Sequence, residues 1–520
     1  MSIDTSPAPA QTGAPRPARP VAILVVVLVA ALAINVETTI VNVALPTLNS
    51  ALGASTRALQ WIVDAYNLAF AALVLAGGTI GDRFGRRGTL IAGLTLFAAS
   101  SVGAALCTST GPLIGMRLVM GVASALIYPT TLAIITDTFR DPRHRAAAIG
   151  VWGAVTGLGV AIGPILGGAL LEVFWWGSLF LALAPIAVAA AVAAPIVIPA
   201  STPGGQHRLD RGGLVLSVVM LGALVYTIIE APDRGWTSVP TLAGFAVTLV
   251  AAVSFAWWER RQSDPLIDVS LFTNLRFSAA SGAVTVAFFA LFGFIFLITQ
   301  FMQLLQGNSP LETGVRILPV ALSIAVGSIL GTRLAVTRIG TKVVVFVGLL
   351  LLTASFGWIA ASDLAITYPT MAAQMVLLGG GLGLTTAPAT DSIMGVVRPE
   401  QAGAGSAVND ATRQVGGTLG VAVIGSIFST LYIRHLADSP AVNAVPQAAQ
   451  ATAREGLAQG LAVAGQAPPP VGAALRGAVD TAFLAGLQAG CLTAAGVCLA
   501  GALFVLAVLP SHPKAIVSES

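Results

Sequence analysis

The feature that most constrains this chain is a series of long apolar segments separated by short loops that carry arginine. Hydrophobic residues make up 56% of the 520 residues and charged residues only 9%, whereas an ordinary soluble domain carries roughly 25% charged residues. So few charges could not cover a soluble protein of this length, which excludes a soluble enzyme, a disordered chain and a secreted disulfide scaffold. The strands of an outer-membrane barrel are short and alternate apolar with polar residues, whereas the apolar segments of this chain are long and continuous. An outer-membrane barrel is therefore also excluded. The sequence therefore predicts an all-α membrane protein.

The number of apolar segments predicts the topology. A membrane-spanning helix needs about 20 predominantly apolar residues. Both termini lie on one side if the number of crossings is even. If both termini are cytoplasmic, the cytoplasmic loops and tails hold 17 Lys and Arg residues and the outer loops hold six. This excess on the cytoplasmic side agrees with the positive-inside rule. The fourteen predicted spans are 21–45, 59–80, 89–107, 113–136, 146–171, 178–198, 214–230, 239–258, 277–303, 311–335, 343–361, 368–393, 403–431 and 481–509.

The segments outside the spans indicate little chemistry. Residues 1–20 are rich in Pro, Ala and Ser, which predicts a disordered cytoplasmic N-terminus. The run that follows is too long for a signal peptide, whose apolar region has about 7–15 residues, so we interpret it as a retained span. We expect the outer loop 434–480 to be flexible or weakly helical. The three cysteines and four histidines show no metal-ligand spacing, and the arginines form no stripe that would bind nucleic acid.

A weak internal repeat predicts two related halves. The loop "DRFGRR" at 82–87 recurs as "TRIGTK" at 337–342, at an offset of 255, and "GAS" at 53–55 resembles "GNS" at 307–309, at an offset of 254. Duplicated halves with a site near the membrane midplane are typical of secondary transporters. The predicted domains are an N-terminal six-helix bundle (21–200), two linker helices (201–276), a C-terminal six-helix bundle (277–510) and a cytoplasmic tail (511–520).

Charged side chains inside the predicted spans are the first functional candidates, because each costs about 2.5–3.5 kcal/mol at a helix centre on insertion scales. Glu37 lies in span 1, Asp64 in span 2 and Arg117 in span 4, while Asp391 and Asp410 flank the loop between spans 12 and 13. Burial favours a neutral carboxyl, and a nearby guanidinium favours the ionised form. A carboxyl balanced in this way could take up and release a proton. We predict proton coupling at Glu37 and Asp64, with Asp391 and Asp410 as further candidates; the alternatives are a structural ion pair or a polar residue near a loop.

Span 5 carries glycines at helical spacing. Gly159, Gly163 and Gly167 recur every four residues and share one helix face, which lets another helix approach closely. Pro164 removes a backbone donor and bends the helix. We predict a tightly packed, kinked gating helix, with ordinary small-residue packing as the alternative. The glycine-rich runs are not nucleotide-binding loops, because no strand precedes them.

Two further groups of residues are candidates. The loop between spans 2 and 3 is either a charge cluster that fixes topology or a latch between the halves, and its residues are Gly78, Asp82, Arg83, Gly85, Arg86 and Arg87. Span 9 is rich in phenylalanine and ends in glutamine, which suits an apolar, aromatic ligand; lipid-facing phenylalanines are the alternative. The predicted substrate cavity consists of Asn35, Asn42, Tyr66, Asn67, Tyr128, Phe292, Phe296, Gln300 and Asn409.

These motifs resemble those of the major facilitator superfamily, and specifically of the fourteen-helix drug:proton antiporters of the EmrB/QacA type. "GTIGDRFGRR" (78–87) is similar to the superfamily's loop signature, and "RLVMGVASA" (117–125) to its span-4 motif. "ETTIVNVALP" (37–46) and "GAGSAVNDATRQVGGTLGVAV" (403–423) resemble the family's signatures in spans 1 and 13. The chain departs from the family pattern at Glu37, Met120, Gly177 and Leu183. Span 5 matches the antiporter motif at Gly150, Gly159, Gly163, Pro164, Gly167 and Gly168.

The resemblance implies the major facilitator fold, with two six-helix halves and two extra central helices. It implies a monomeric bacterial cytoplasmic-membrane exporter of amphipathic drugs, antibiotics or secondary metabolites, driven by protons and without a cofactor. In the family, the span-4 arginine and nearby acids are implicated in proton coupling, and the span-5 motif in exchange direction and in sealing against leak. The resemblance therefore implies a role for Arg117 in proton coupling. A proton-coupled nutrient importer is the first alternative. A channel or a membrane-embedded enzyme would need a polar pore lining or clustered catalytic groups, which the spans lack.

Overall fold

The computed structural model describes residues 19–200, 210–263, 265–337, 339–396 and 402–510. These residues form helices and no β-strand. The predicted disordered N-terminus and cytoplasmic tail lie outside the described residues, apart from Arg19 and Pro20. The described α-helices are α1 (Pro20–Val43), α2 (Leu45–Leu52), α3 (Thr56–Phe84), α4 (Arg86–Ala105), α5 (Thr110–Thr138), α6 (Pro142–Val173), α7 (Ser178–Leu181), α8 (Ala184–Val197), α9 (Arg211–Arg234), α10 (Val239–Glu259), α11 (Leu275–Gln300), α12 (Pro310–Arg316), α13 (Leu318–Thr337), α14 (Gly340–Ala360), α15 (Tyr368–Met394), α16 (Ala402–Ala437), α17 (Gln447–Arg454), α18 (Leu457–Gln466) and α19 (Pro469–Val508).

The helices account for the predicted spans. Within the described residues, thirteen helical segments are long and apolar enough to cross a membrane. Helices α7 and α8 form one of these segments, α12 and most of α13 form another, and a π-helical turn extends α11 to Leu305. The remaining predicted span, 368–393, is α15. Its 27 residues are long enough to cross a membrane, but its glycines, threonines and Gln374 make it less apolar. It packs inside the second half against α11, α13 and α14.

The glycines of the repeated loop sequences share a positive φ angle. Gly53 and Gly307 have φ of +62° and +70°, and Gly85 and Gly340 have φ of +97° and +77°. This left-handed region is accessible to glycine without strain. Two residues after Gly53 and after Gly307, a serine caps the next helix through its side-chain oxygen, which accepts a hydrogen bond from a backbone N–H. The recurring residues thus form matching turns.

Helix packing shows the same correspondence. Helix α1 packs on α6 as α11 packs on α16, α3 packs on α5 as α13 packs on α15, and α4 packs on α8 as α14 packs on α19. The two sets of helices meet where α3 packs on α16 and where α6 packs on α12. The extra helices α9 and α10 form a hairpin, and α9 lies against both α3 and α16. Arg57 at the start of α3 pairs with Glu230 (3.3 Å) and Asp233 (2.6 Å) of α9.

The outer loop is more ordered than we expected. Residues 434–480 contain the end of α16, helices α17 and α18, and the first turns of α19. The Tyr432 hydroxyl donates to the carbonyls of Ala453 and Gly456, both at 3.0 Å. The Thr56 backbone N–H donates to the Glu455 carbonyl (2.9 Å). Of the two alternatives for this loop, flexible or weakly helical, the structure shows the helical one, because these bonds fix it as a cap over the turn between α2 and α3.

Candidate functional site

A buried ion pair lies at the centre of the first half. Glu37 on α1 has 0% of its surface exposed and Arg117 on α5 has 1%. Arg117 Nη1 donates a hydrogen bond to Glu37 Oε1. The acid therefore points into the protein and not at lipid. Glu37 Oε2 has no hydrogen-bond partner among the described residues.

The surroundings of Arg117 tie three helices together. Its Nε donates to the Ile62 carbonyl of α3 (2.8 Å), and its guanidinium lies 4.4 Å from the centre of the Tyr66 ring, a favourable cation–π arrangement. The Tyr66 hydroxyl accepts a hydrogen bond from Ser124 of α5 (3.0 Å) and donates to the Ile34 carbonyl of α1 (3.3 Å). A buried ion pair contributes little net stability, so this network is a functional candidate.

Asp64 lies on a different face of α3. Its side chain is fully buried, and neither carboxyl oxygen has a partner among the described residues. The same holds for the Asn67 amide. Gln60, Asp64 and Asn67 are spaced by four and three residues and share one helix face. Gln60 on that face donates to the carbonyls of Val421 (3.3 Å) and Ala422 (3.2 Å) on α16. Asp64 thus faces the junction with the second half.

The predicted glycine face of span 5 packs on α1. A methyl group at Gly159 would lie 2.8 Å from Asn35 Cβ, and one at Gly163 would lie 3.0 Å from the Val36 carbonyl oxygen. One at Gly167 would lie 3.0 Å from the Ile40 carbonyl oxygen. These three glycines therefore set the spacing of α1 and α6. At Gly150, by contrast, a methyl group would meet no atom within 4 Å.

Helix α6 starts where its sequence provides a cap. The Asp141 carboxylate accepts hydrogen bonds from the backbone N–H groups of His144 and Arg143, both at 3.0 Å. These bonds hold the pKa of Asp141 below its usual value. The helix then runs through Pro164 to Val173.

The sequence analysis missed the partner of Gly168 in the second half. Gly168 lies against the backbone of Pro310 and Leu311 on α12, and Gly314 lies against the backbone of Pro164 and Ile165 on α6. Beside them, Ser309 Oγ donates to Glu172 Oε1 (2.6 Å). The two halves thus meet at the end of the molecule opposite the start of α1 and the end of α19. Gly314 and the capping serine at 309 were the available signals.

The loop between α3 and α4 is bound within the first half. Arg86 pairs with Asp82 (2.9 Å) and Asp137 (2.5 Å) and donates to the Ala133 carbonyl (2.9 Å). Arg87 donates to the Ile198 carbonyl after α8 (3.2 Å). Gly85 makes the turn, Gly78 lies beside Pro129, and Arg83 lies over the Phe84 ring. A latch to the second half stays a prediction. Arg338, the counterpart of Arg83, lies outside the described residues.

Some predicted cavity residues meet at the junction between the halves. The Tyr128 hydroxyl of α5 lies beside the Asn35 and Thr156 side chains and near the Asp410 and Arg413 charges of α16. Arg413 donates to Thr390 (3.4 Å), which in turn donates to Asn409 Oδ1 (3.1 Å). Asn35, Tyr128 and Asn409 therefore belong to one polar region.

The other predicted cavity residues lie elsewhere. Tyr66 belongs to the Arg117 network, and Asn42 donates to the Thr38 carbonyl of its own helix (3.3 Å). Gln300 is buried and donates to the Phe296 carbonyl (3.0 Å). Phe292 and Phe296 pack against Gly417 and Gly425 of α16 and are not lipid-facing. Among the described residues, no group of three His, Cys, Asp or Glu side chains could hold a metal ion.

Two matching sets of membrane-length helices with buried charged side chains are typical of a membrane transporter. The family model of the Major Facilitator Superfamily matches residues 26–421, so the chain belongs to this superfamily of transporters and is not an enzyme.

Individual proteins that are similar to this chain are also transporters. The multidrug resistance protein Stp of Mycobacterium tuberculosis is 34% identical over 399 residues, or 76% of this chain and 73% of the relative. The multidrug efflux pump LfrA of Mycolicibacterium smegmatis is 33% identical over 489 residues, or 94% of this chain and 96% of the relative. A solved bacterial homologue of the human lysosomal transporter Spinster, inward-facing and occupied, shares the fold with a TM-score of 0.63 and 20% identity, covering 95% of this chain and 97% of that one.

Proposed function

We propose that the protein exports amphipathic drugs, antibiotics or secondary metabolites across the bacterial cytoplasmic membrane in exchange for protons. The names of the multidrug relatives support the substrate class. The observation that carries the coupling is the pair of fully buried carboxyl groups in the first half, one with a guanidinium partner and one without.

The two carboxyl groups suit opposite protonation states. A buried carboxylate beside a guanidinium is stabilised as the ion, so the arrangement around Glu37 accommodates its charge. A buried carboxylate without a partner is strongly unfavourable, so Asp64 is accommodated as the neutral acid. Protonation of Glu37 removes its attraction to Arg117. Loss of the Asp64 proton places an unpaired charge at the junction of α3 and α16.

Proton binding and the movement of the halves are coupled through these sites. A proton from outside neutralises Glu37 and frees α1 to shift against α5, while α6 keeps its close contact with α1 through the glycine face. The halves then separate where α6 meets α12, and the substrate leaves outward. The protonated protein then returns to the inward-open state, where the proton leaves on the inner side. The proton gradient supplies the energy, so no cofactor is required.

The polar region at the junction of the halves is the proposed substrate site. Asn35, Tyr128 and Asn409 provide hydrogen-bonding groups on both halves, and Phe288 provides an aromatic ring beneath the Arg413 guanidinium (5.3 Å). Such a mixture suits an amphipathic molecule. We further propose that both termini lie in the cytoplasm, because the lysines and arginines of the loops and tails divide 17 to six in favour of that side. We also propose that the protein is a monomer.

The proposal is tested with everted membrane vesicles, ethidium as the probe and respiration as the source of protons. The wild-type protein should accumulate ethidium in the vesicles and lose this activity when an uncoupler is added. Glu37→Gln should insert normally and show no proton-driven accumulation. Glu455→Gln, which changes an exposed glutamate in the outer loop, is the matched control and should behave as wild type. Wild-type accumulation by Glu37→Gln would remove Glu37 from the mechanism.

A further inference from the structure

Two buried carboxyl groups that the proposed transport cycle does not use meet at the base of the α9–α10 hairpin. Asp210 caps the start of α9 and Glu259 is the last residue of α10; their exposed fractions are 8% and 2%. Because successive spans alternate in direction, this base lies at the same end of the molecule as the start of α1 and the end of α19. It is therefore remote from the contact of α6 with α12.

Each carboxyl group uses one oxygen to organise the local structure. Asp210 Oδ1 accepts hydrogen bonds from the Gly213 backbone N–H (2.9 Å) and the Trp258 indole N–H (2.8 Å). Glu259 Oε2 accepts a hydrogen bond from the Ile267 backbone N–H (3.2 Å), in the connection that leads to α11. The hairpin base is thus linked to the start of the second half.

The second oxygen of each group is left without a partner, and the two converge. Asp210 Oδ2 and Glu259 Oε1 are buried and have no hydrogen-bond partner among the described residues. Both lie within 2.6 Å of the point that a Cβ atom at Gly213 would occupy. The two oxygens are therefore within a few ångströms of each other, and only glycine fits at position 213.

No cation compensates the two oxygens within the described residues. Arg260 and Asp268 line a cavity beside Glu259, but Arg260 is exposed, and Asp268 accepts bonds from Ser270. The other charged groups near the base and on the elements packed against the hairpin have their own contacts or face solvent. Arg211 is exposed, Arg261 lies over the Trp257 ring, and Arg83 lies over the Phe84 ring. Asp82 pairs with Arg86, and Arg276 donates to Ser392. Asp410 and Arg413 lie near Tyr128.

We propose that Asp210 and Glu259 bind one proton between their free oxygens, and that this proton holds the first turn of α9 to the last turn of α10. Two carboxylates that share a buried site cannot both be ionised without a compensating cation. If one carboxyl is protonated, its O–H donates to the other carboxylate and satisfies both free oxygens, in a charge-assisted hydrogen bond. Loss of the proton leaves two like charges in contact, which separates the helices.

Trp258 reports directly on this site, because its indole donates to Asp210. The experiment is a pH titration of tryptophan fluorescence from about pH 4 to about pH 9, a range that covers ordinary and buried carboxyl groups. It uses the purified full-length protein, and the spectrum of Trp258→Phe is subtracted to isolate the Trp258 signal. The measurement needs no transport substrate, so its outcome is independent of the proposed export activity.

The wild-type difference spectrum should show a titration step as the proton leaves at rising pH. Glu259→Gln should lack the step and keep the low-pH spectrum throughout, because the glutamine amide is a permanent donor to Asp210. Asp210→Asn should also lack the step. The matched control, Asp268→Asn, changes an acid on the neighbouring cavity and should keep it.

Four results would overturn the proposal. The first is an unchanged step in Glu259→Gln, and the second is a wild-type spectrum that does not titrate. The third is a Glu259→Gln protein that fails to fold, since glutamine has the same shape and supplies the missing hydrogen. The fourth is a step that moves when sodium replaces potassium at constant ionic strength, which would assign the site to a metal cation.

Discussion

At the scale of single residues, Arg117 holds three helices at one point. It bonds to Glu37 of α1 and to the Ile62 carbonyl of α3, and it stacks on Tyr66. Once the pair is buried, removal of either partner alone leaves an uncompensated charge in the membrane interior. The stability of the first half and the charge state of Glu37 are therefore linked.

We predict that Arg117→Met lowers stability by about 3–5 kcal/mol, the usual result of breaking a buried ion pair from one side. The double variant Glu37→Gln, Arg117→Met should recover most of that loss, because no unpaired charge remains. Thermal unfolding of the purified variants in detergent measures both effects. A double variant as unstable as Arg117→Met alone would contradict this account of the pair.

Substitution of Asp64, unlike that of Arg117, should abolish transport with little effect on stability. Its carboxyl group has no partner among the described residues, so Asp64→Asn removes no bond. We expect any loss of stability to stay below about 1 kcal/mol, the value that is typical of a point substitution. Ethidium transport should nevertheless be lost, because asparagine cannot release a proton. Exposed Asp363, changed to asparagine, serves as the control and should leave both properties intact. Proton-driven transport by Asp64→Asn would show that this acid has no role in coupling.

At the scale of helices, the glycines of α6 allow close packing along only part of the helix. The C-terminal half of the helix packs on α1 and α12 through Gly159, Gly163, Gly167 and Gly168, whereas a methyl group at Gly150, Gly153 or Gly157 would meet no atom within 4 Å. The repeated glycine pattern is thus a close-packing surface at one end of the helix only.

This difference predicts opposite outcomes for two similar substitutions. Gly163→Ala forces a methyl group against Thr39 and the Val36 carbonyl and should destabilise the protein by about 1–3 kcal/mol. Gly157→Ala adds a methyl group where nothing is near and should be neutral or stabilising, since alanine favours helix by about 1 kcal/mol over glycine. Unfolding midpoints of the two variants make the comparison. Equal losses would show that α6 does not depend on this contact with α1.

The contact between α6 and α12 should control access from the side opposite the start of α1. Gly314→Ala places a methyl group against the Pro164 backbone, so we expect the halves to separate there. The neighbouring side chain of Thr313 is fully buried, and Thr313→Cys in this background should react faster with a membrane-impermeant maleimide. Gly111→Ala, in open space, is the control. Equal labelling in all backgrounds would contradict a closing role for this contact.

At the scale of the whole molecule, the sequence predicted the features that depend on local properties. Apolar length alone identifies the spans, because membrane thickness sets it, and the repeated glycine and serine residues mark the matching turns. The sequence did not predict the tertiary contacts. Glu37 and Arg117 are 80 residues apart, so no local pattern pairs them with each other. Gly314 and Ser309 mark a close helix start but do not name α6 as its partner. Neither the α17–α18 cap on the α2–α3 turn nor the meeting of Asp210 with Glu259 has a local signal.

The measurement that tests the central claim most directly follows protons and substrate together. Proteoliposomes that contain the purified protein and an acidic interior should accumulate ethidium while internal protons are lost, as reported by an enclosed pH-sensitive dye. Glu37→Gln should show neither change. Ethidium accumulation without proton loss in the wild type, or accumulation at the wild-type rate in Glu37→Gln, would contradict exchange through the buried glutamate.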